Sequence, residues 1–370
     1  MLIVTGIGLV TAVGHDVRTS CASIRAGITR PKEISHYYVM DEESHKAEPL
    51  TGYPVAGITD GFSSIGRWLT MGKCALNDLI NYSNLPAKED ATFWLKTAII
   101  FITPVLNAAR FDLAGVVNEN NVKNFYVVPF IRQSKLPVKL ENSFLISEDN
   151  PGTMSACYLA NELLHNRSDV DRIILLAADS NIDPYSLWWL NARGQLKNSN
   201  NPTGLVPGEA AAAILLESER SAQRSDANRF AFINNFSKKF EKNYFYNDET
   251  QEHNTGIGLS ESLIETLSAA QLNKPYTGTL YLDINGENWR SIEYSHAQIK
   301  TPKNLLDARA LTVIVSAAIG DIGTANSLCN LCVAIESHRR HYSQYNVALI
   351  TASSPYGYVG ALLATLTQTN

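Results

Sequence analysis

The chain has five cysteines in 370 residues, an odd number at irregular spacing, so it carries no disulfide framework. Reduced thiols, and with them a cytoplasmic setting, are the expectation. Basic residues do not dominate either. With 31 Lys and Arg against 36 Asp and Glu, the formal charge is −5, which argues against nucleic acid or an anionic membrane as partner. No apolar run approaches the ~20 residues needed to cross a bilayer; TAIIFITPVL (97–106) is short and broken by Pro104. The opening MLIVTGIGLVTAVG lacks a basic start and is interrupted by Gly6, Gly8 and Gly14, so it is not read as a secretory signal. The TGIG stretch lacks the third glycine of a dinucleotide fingerprint. There is no G-x-S-x-G elbow and no H-E-x-x-H. Cys329 and Cys332 form a C-x-x-C, but no second pair exists to complete a zinc site. Neither a metal nor a cofactor is expected.

What remains is an ordinary globular composition, 45% hydrophobic and 18% charged, long enough for a sizeable core. Short β-branched runs alternate with helical patterns. LIVTG (2–6), TAIIFI (97–102), DRIILLAADS (171–180), GEAAAAILLES (208–218), TGTLYLDING (277–286), ALTVIVSA (310–317) and NVALITAS (346–353) read as strands. VRTSCASIRAG (17–27) reads as a helix closed by Gly27. In RWLTMGKCALNDLI (67–80), Trp68, Met71, Ala75 and Leu79 share a helical face. Residues 30–66 are rich in Pro and Gly and read as an irregular excursion, with HYYVMDEESHK placing aromatics beside charges. That mixture suits a protein-binding surface and equally a loop covering the body of the domain. Buried, largely parallel sheets with helices between them are the expectation.

A weak internal repeat refines this. NPGTMSACYLANELL (150–164) and IGDIGTANSLCNLCVAI (319–335) both run from a Gly-Thr pair into a small-residue, apolar helix. Helices apolar nearly all round are buried on every side, so a pseudo-duplicated fold with two central helices between sheets is predicted. Cys157 follows a helix start, the place where a thiolate would be stabilised. A helix beginning near Pro151 puts it more than a turn inside, in the stripe with Ala156, Leu159, Ala160 and Leu163. A buried, inert thiol is expected there. His15 and His296 read as surface or capping residues, His338 and His341 as a solvated basic helix end. Ser353 and Ser354 have no histidine nearby in sequence.

VTGIGLVTAVGHDVRTSCASIRAG resembles the opening of the β-ketoacyl synthases of the thiolase superfamily. DVDRIILLAADS and GLVPGEAAAAILLES are similar to further segments of that family, as, more loosely, are LYLDINGENWRSIEYS, IGDIGTANS and TASSPYGYVGALLA. Residues 103–145 and 219–275 have no such likeness. The resemblance implies a thiolase fold of class α/β, with two pseudo-duplicated halves (1–225, including the excursion at about 30–66, and 226–370) layered αβαβα around central helices. It also places the family's nucleophilic cysteine at Pro151, its first histidine at Asn285 and its second histidine or asparagine at Asp321. Decarboxylative condensation needs a thiolate to carry the acyl chain and donors to stabilise oxyanions. A proline, an amide and a carboxylate supply neither, so the resemblance implies a catalytically inactive relative, not an enzyme.

Two roles then present themselves. The combination of the excursion, NPGT, DINGENWRSIEY and GDIGTA is similar to thiolase-like co-chaperones encoded with type VI secretion effectors, which implies an adaptor chaperone and an effector as partners. The alternative is an inactive chain-length-factor-like subunit paired with an active ketosynthase in polyketide or aryl-polyene synthesis, with an acyl tunnel across the interface. A homo- or heterodimer is implied in either case. An enzyme with relocated groups would have to use Cys157 or Glu209. Tyr356 and Tyr358 in SSPYGYVG are bulky enough to line and plug a vestigial pocket.

Overall fold

Strand β1 (Leu2–Thr11) is buried along its whole length, which is why its sequence is continuously apolar instead of alternating. In this computed structural model, which describes residues 1–111, 118–225, 227–247 and 254–368, it lies at the centre of a ten-stranded sheet. The other strands are β2 (Lys32–Met40), β3 (Ala47–Gly52), β4 (Thr97–Thr103), β5 (Ser143–Ser147), β6 (Arg172–Ser180), β7 (Glu209–Glu217), β8 (Ala231–Phe240), β9 (Thr279–Tyr281), β10 (Leu311–Val313), β11 (Val347–Ser353) and β12 (Tyr358–Leu366).

The sheet order is β10-β9-β11-β12-β8-β1-β7-β6-β4-β5. Read outward from the middle, it is the same ladder twice. β1 pairs antiparallel with β7, β7 antiparallel with β6, β6 parallel with β4 and β4 parallel with β5. β8 pairs antiparallel with β12, β12 antiparallel with β11, β11 parallel with β9 and β9 parallel with β10. The two sets join through a short antiparallel seam, Leu2 to Ile233, Ile3 to Phe232 and Val4 to Ala231.

Alternation along each strand builds the layers. From β7, Ala210, Ala212, Ile214 and Leu216 face a central layer. Ala211, Ala213 and Leu215 face the outer helix Ile65–Tyr82 through Met71, Ala75, Leu76 and Leu79. β1 lies flush beneath that helix because Gly8 has no side chain; a Cβ there would come within 2.1 Å of the Ala75 carbonyl oxygen. On the other side, Leu280, Leu349, Val359, Ala361 and Leu363 pack against Leu259, Leu263 and Leu267 of helix Ile257–Ala269 and Ala297 of helix Asn288–Lys300. Between the two five-stranded parts of the sheet lie the central helices, Gly152–Asn166 and Asn326–Arg339. The arrangement is the layered αβαβα thiolase fold.

Three expectations are corrected. The ten-stranded sheet is not largely parallel, since five of its nine strand pairings are antiparallel. Only the second central helix is enclosed, buried from Asn326 through Glu336; the first exposes Tyr158 and Glu162 on one side. The segment 30–66 is less irregular than its prolines and glycines suggest. β2 and β3 form a separate antiparallel ribbon whose Ile34, Val39 and Leu50 pack on Ile182, Leu187 and Trp189. Its opposite side leaves Tyr38 and Met40 exposed. Among the described residues no helix is long and apolar enough to cross a membrane.

Candidate functional site: a closed polar cluster between the halves

The amino ends of both central helices and the carboxyl ends of β6 and β11 converge on one point. Immediately after β9 the chain stays extended, and Asp283, Asn285 and Glu287 are all buried at alternate positions. Helix Asn288–Lys300 then carries Arg290 back over them. Its guanidinium donates to Asp283 Oδ2 at 2.8 Å and to the Ser353 carbonyl at 2.9 Å, and its Nε lies 3.7 Å from Glu287 Oε2.

Asp283 collects the two helix starts. It accepts from Asn150 Nδ2 (2.7 Å), Asn326 Nδ2 (2.8 Å) and the Ser353 amide (2.9 Å). Asn150 Oδ1 in turn accepts the Ser327 amide at 2.7 Å. Asn285 donates to Asp321 Oδ2 at 2.6 Å and to Glu287 Oε2 at 2.9 Å. Gln195 Nε2 donates to Glu287 Oε1 at 2.8 Å, while Gln195 Oε1 receives the Tyr246 hydroxyl at 2.6 Å. From the first half, Arg110 donates to Asp179 Oδ1 at 2.9 Å and to Asn181 Oδ1 at 3.1 Å. Asp179 Oδ2 receives the Thr324 amide at 3.1 Å. Gly323, at φ +51°, lets the backbone pass over this carboxylate, since a Cβ would sit 2.1 Å from Asp179 Oδ2.

Each position the resemblance singles out is therefore accounted for. Pro151 opens the first central helix with φ −64° and no side-chain capping bond, and it offers no reactive atom. Asn285 directs its amide hydrogens at two carboxylates. Asp321 accepts from Asn285 and from the Gly323 amide at 2.8 Å. Pro151 is joined to the other two only through the network of its neighbour Asn150. What space is left amounts to about 60 Å³, room for a few waters and far below the ~300 Å³ of small-molecule sites. Four carboxylates (Asp149, Asp179, Glu287 and Asp321) and two guanidiniums (Arg110 and Arg290) line it. Burial pushes the Asp283 carboxyl up to about 6 against the pull of Arg290, the Ser353 amide and Asn150. It also raises Asp149 and Glu287.

Of the two tyrosines, Tyr356 lines the cavity and its hydroxyl receives Asn107 Nδ2 at 2.7 Å. Tyr358 does not line it; its ring stands edge-on to Phe240 at 5.7 Å, with the Lys238 ammonium 5.0 Å from the ring centre. Cys157 is also away from the cavity, fully enclosed by the central layer, with its thiol pushed up to about 12 by burial. Glu209 is held by four donors: the Val55 amide (2.8 Å), the Thr59 hydroxyl (2.5 Å), Arg67 (2.8 Å) and the Ser180 hydroxyl (2.6 Å). His338 is buried, not solvated, and burial lowers its imidazole. Among the described residues no group of His, Cys, Asp and Glu could hold a metal ion. Arg110, Asp283, Gln195 and Arg290 escaped the sequence reading. The alternation D-x-N-x-E followed by an arginine was the available signal.

No protein-family model matches the chain, and no curated protein matches it in sequence. Solved structures do. A β-ketoacyl synthase from Burkholderia phymatum superposes with a TM-score of 0.74 at 13% identity, over 99% of both chains. The fold is the thiolase-like fold of the ketosynthases. The ishigamide ketosynthase/chain length factor gives 0.68 at 15% identity over 99% of both chains. A chain of AntDE:AntF, a type II PKS acyl-carrier protein in complex with its ketosynthase bound to the hexaketide, gives 0.72 at 15% over 99% of both.

Proposed function

We propose that this chain is a ketosynthase-fold protein that does no condensation chemistry and works by binding other proteins. The observation that carries the reading is the occupied site. The positions of the family's thiolate and histidines hold Pro151, Asn285 and Asp321, and the last two are bonded to each other. The Arg290–Asp283 pair fills the space behind them. Asp321 puts carboxyl oxygens where an oxyanion needs N–H donors, and a cavity of about 60 Å³ has no room for an acyl chain. Incubation with acyl thioesters followed by intact mass measurement tests this directly. An unmodified mass in a well-folded sample is expected; a stoichiometric acyl adduct would overturn it.

For the partner, the sequence resemblance favours a co-chaperone or adaptor that helps load type VI secretion effectors, in company with an adaptor chaperone. The similarity to ketosynthase/chain length factor structures supports a second reading, an inactive subunit beside an active ketosynthase. The small volume, about 60 Å³, weighs against that alternative, because an acyl tunnel needs open volume in the subunit that bounds it. Purification of the tagged chain from its source organism, with mass spectrometry of what accompanies it, separates the two. An adaptor chaperone with a spike-tip effector supports the first; an acyl carrier protein with a cysteine-bearing ketosynthase supports the second.

A further inference from the structure

The far end of the second central helix, opposite its polar start, has a different character. Asn326–Arg339 spans 14 residues, which puts its last turn about 20 Å from the closed site. There it meets the helix Val17–Arg25, and the two enclose a cavity of about 290 Å³. From the first helix come Arg18, Cys21, Ala22 and Arg25, spaced i, i+3, i+4 and i+7 and so along one stripe. Glu336, Arg340 and Tyr342 bound the other side.

Three of these lining residues are arginines, in a chain whose net charge is −5. Their one lining carboxylate, Glu336, is 4% exposed and already engaged. It accepts from Arg340 Nε at 2.9 Å and from the Tyr82 hydroxyl, and lies 3.6 Å from Arg339. The acids nearest Arg18 are also committed: Asp16 caps its helix by accepting the Thr19 amide, and Asp78 accepts the Leu9 and Val17 amides. Arg18 and Arg25 form no ion pair among the described residues. Each guanidinium lies by an aromatic ring instead, Arg25 at 3.5 Å from the Tyr342 ring centre and Arg18 at 5.6 Å from that of Tyr82. Stacking of this kind holds the planar fork while its N–H edges stay free for a bidentate acceptor.

Helix ends do not explain the cluster. Arg25 lies in a last turn and Arg340 at a C-cap, where the dipole favours cations, but Arg18 lies in a first turn, where it opposes them. We propose that this groove is an anion-recognition site that receives a carboxylate-bearing segment of a partner protein. Charge complementarity selects the occupant, and small Ala22 on the exposed stripe between Arg18 and Arg25 leaves it room. The identity of the occupant as protein rests on the binding role proposed above; the site itself does not.

The test uses the purified chain and a fluorescein-labelled hexaglutamate peptide, read by anisotropy. Saturable binding that weakens as salt is raised is expected. It should fall at least about tenfold in the R18E/R25E variant and hold in R220E, a change at an exposed arginine elsewhere. Arg18 and Arg25 are exposed, so the fold should tolerate the change; R18Q/R25Q is the milder pair. Binding of neither peptide nor inorganic phosphate, or equal peptide binding by both variants, would overturn the site. Inorganic phosphate binding at the arginines without peptide binding would overturn the protein occupant. Peptide binding that survives a failed partner purification removes the partner reading alone.

Discussion

Two buried carboxylates, both near the interface of the halves, show how differently the chain uses a charge. Glu209 is matched: one arginine, two hydroxyls and one amide take up its two oxygens, and the centre closes on itself. Asp283 is crowded. It shares Arg290 with Glu287, and Asn285 links Glu287 in turn to Asp321. The first arrangement is a brace between β7, the segment after β3 and the outer helix. The second gathers more acid than base: Asp283, Glu287 and Asp321 against Arg290. The convergent space at the two helix starts is filled with polar groups that bond one another.

The largest expected effect comes from removing the shared cation. Arg290→Met leaves Asp283 and Glu287 buried without their guanidinium, a loss of about 3–5 kcal/mol of stability, read from urea unfolding midpoints. Glu209→Gln keeps the shape and removes one charge opposite Arg67, so about 2–3 kcal/mol is expected. If the second variant proves the more damaging, the contrast between a shared and a matched centre is wrong. The pH profile probes the same contrast. Asp283, raised to about 6, and Glu293, raised to about 7, both mainly by burial, hold protons more tightly folded than unfolded. Their stabilising contribution is complete below the unfolded values near 4 and is lost as pH climbs through 6 to 7. Stability should therefore fall between about pH 4 and pH 7, by about 3 kcal/mol for each group. Asp283→Asn should flatten the profile; an unchanged slope would remove Asp283 from the account.

Much of the fold was legible because its cause is local. Continuous apolar runs gave buried strands, and the small-residue repeats gave both central helices. The stripe of Trp68, Met71, Ala75 and Leu79 is buried as its period required. The strands β9 and β10, at three residues each, carry too little pattern to fix their ends. In the ribbon of β2 and β3, only alternate side chains have something to cover. Of the three positions that the resemblance singled out, Asn285 and Asp321 do meet in one cluster, and both lie on segments the resemblance covers. Arg110 was not legible, since it belongs to the unmatched middle and reaches Asp179 only through the folded chain. Nor did sequence reveal that Arg18 and Arg340 bound one groove, being contributed by opposite ends of the chain.

Cys157 offers the smallest effect and the sharpest boundary. It lies less than two turns from Pro151 on the same helix, yet its surroundings change from the polar cluster to the apolar central layer. With the thiol pushed up to about 12, the thiolate fraction at pH 8 is only about one in ten thousand. Native protein should therefore take up iodoacetamide at Cys157 no faster than the fold opens, whereas unfolded protein reacts at the ordinary rate. Cys157→Ala removes one sulfur from a packed layer, for which about 1 kcal/mol is expected. Rapid labelling of Cys157 in folded protein, located by peptide mass mapping, would mean that the apolar layer admits a reagent. The relocated nucleophile would then have to be taken up again in place of the purely binding role.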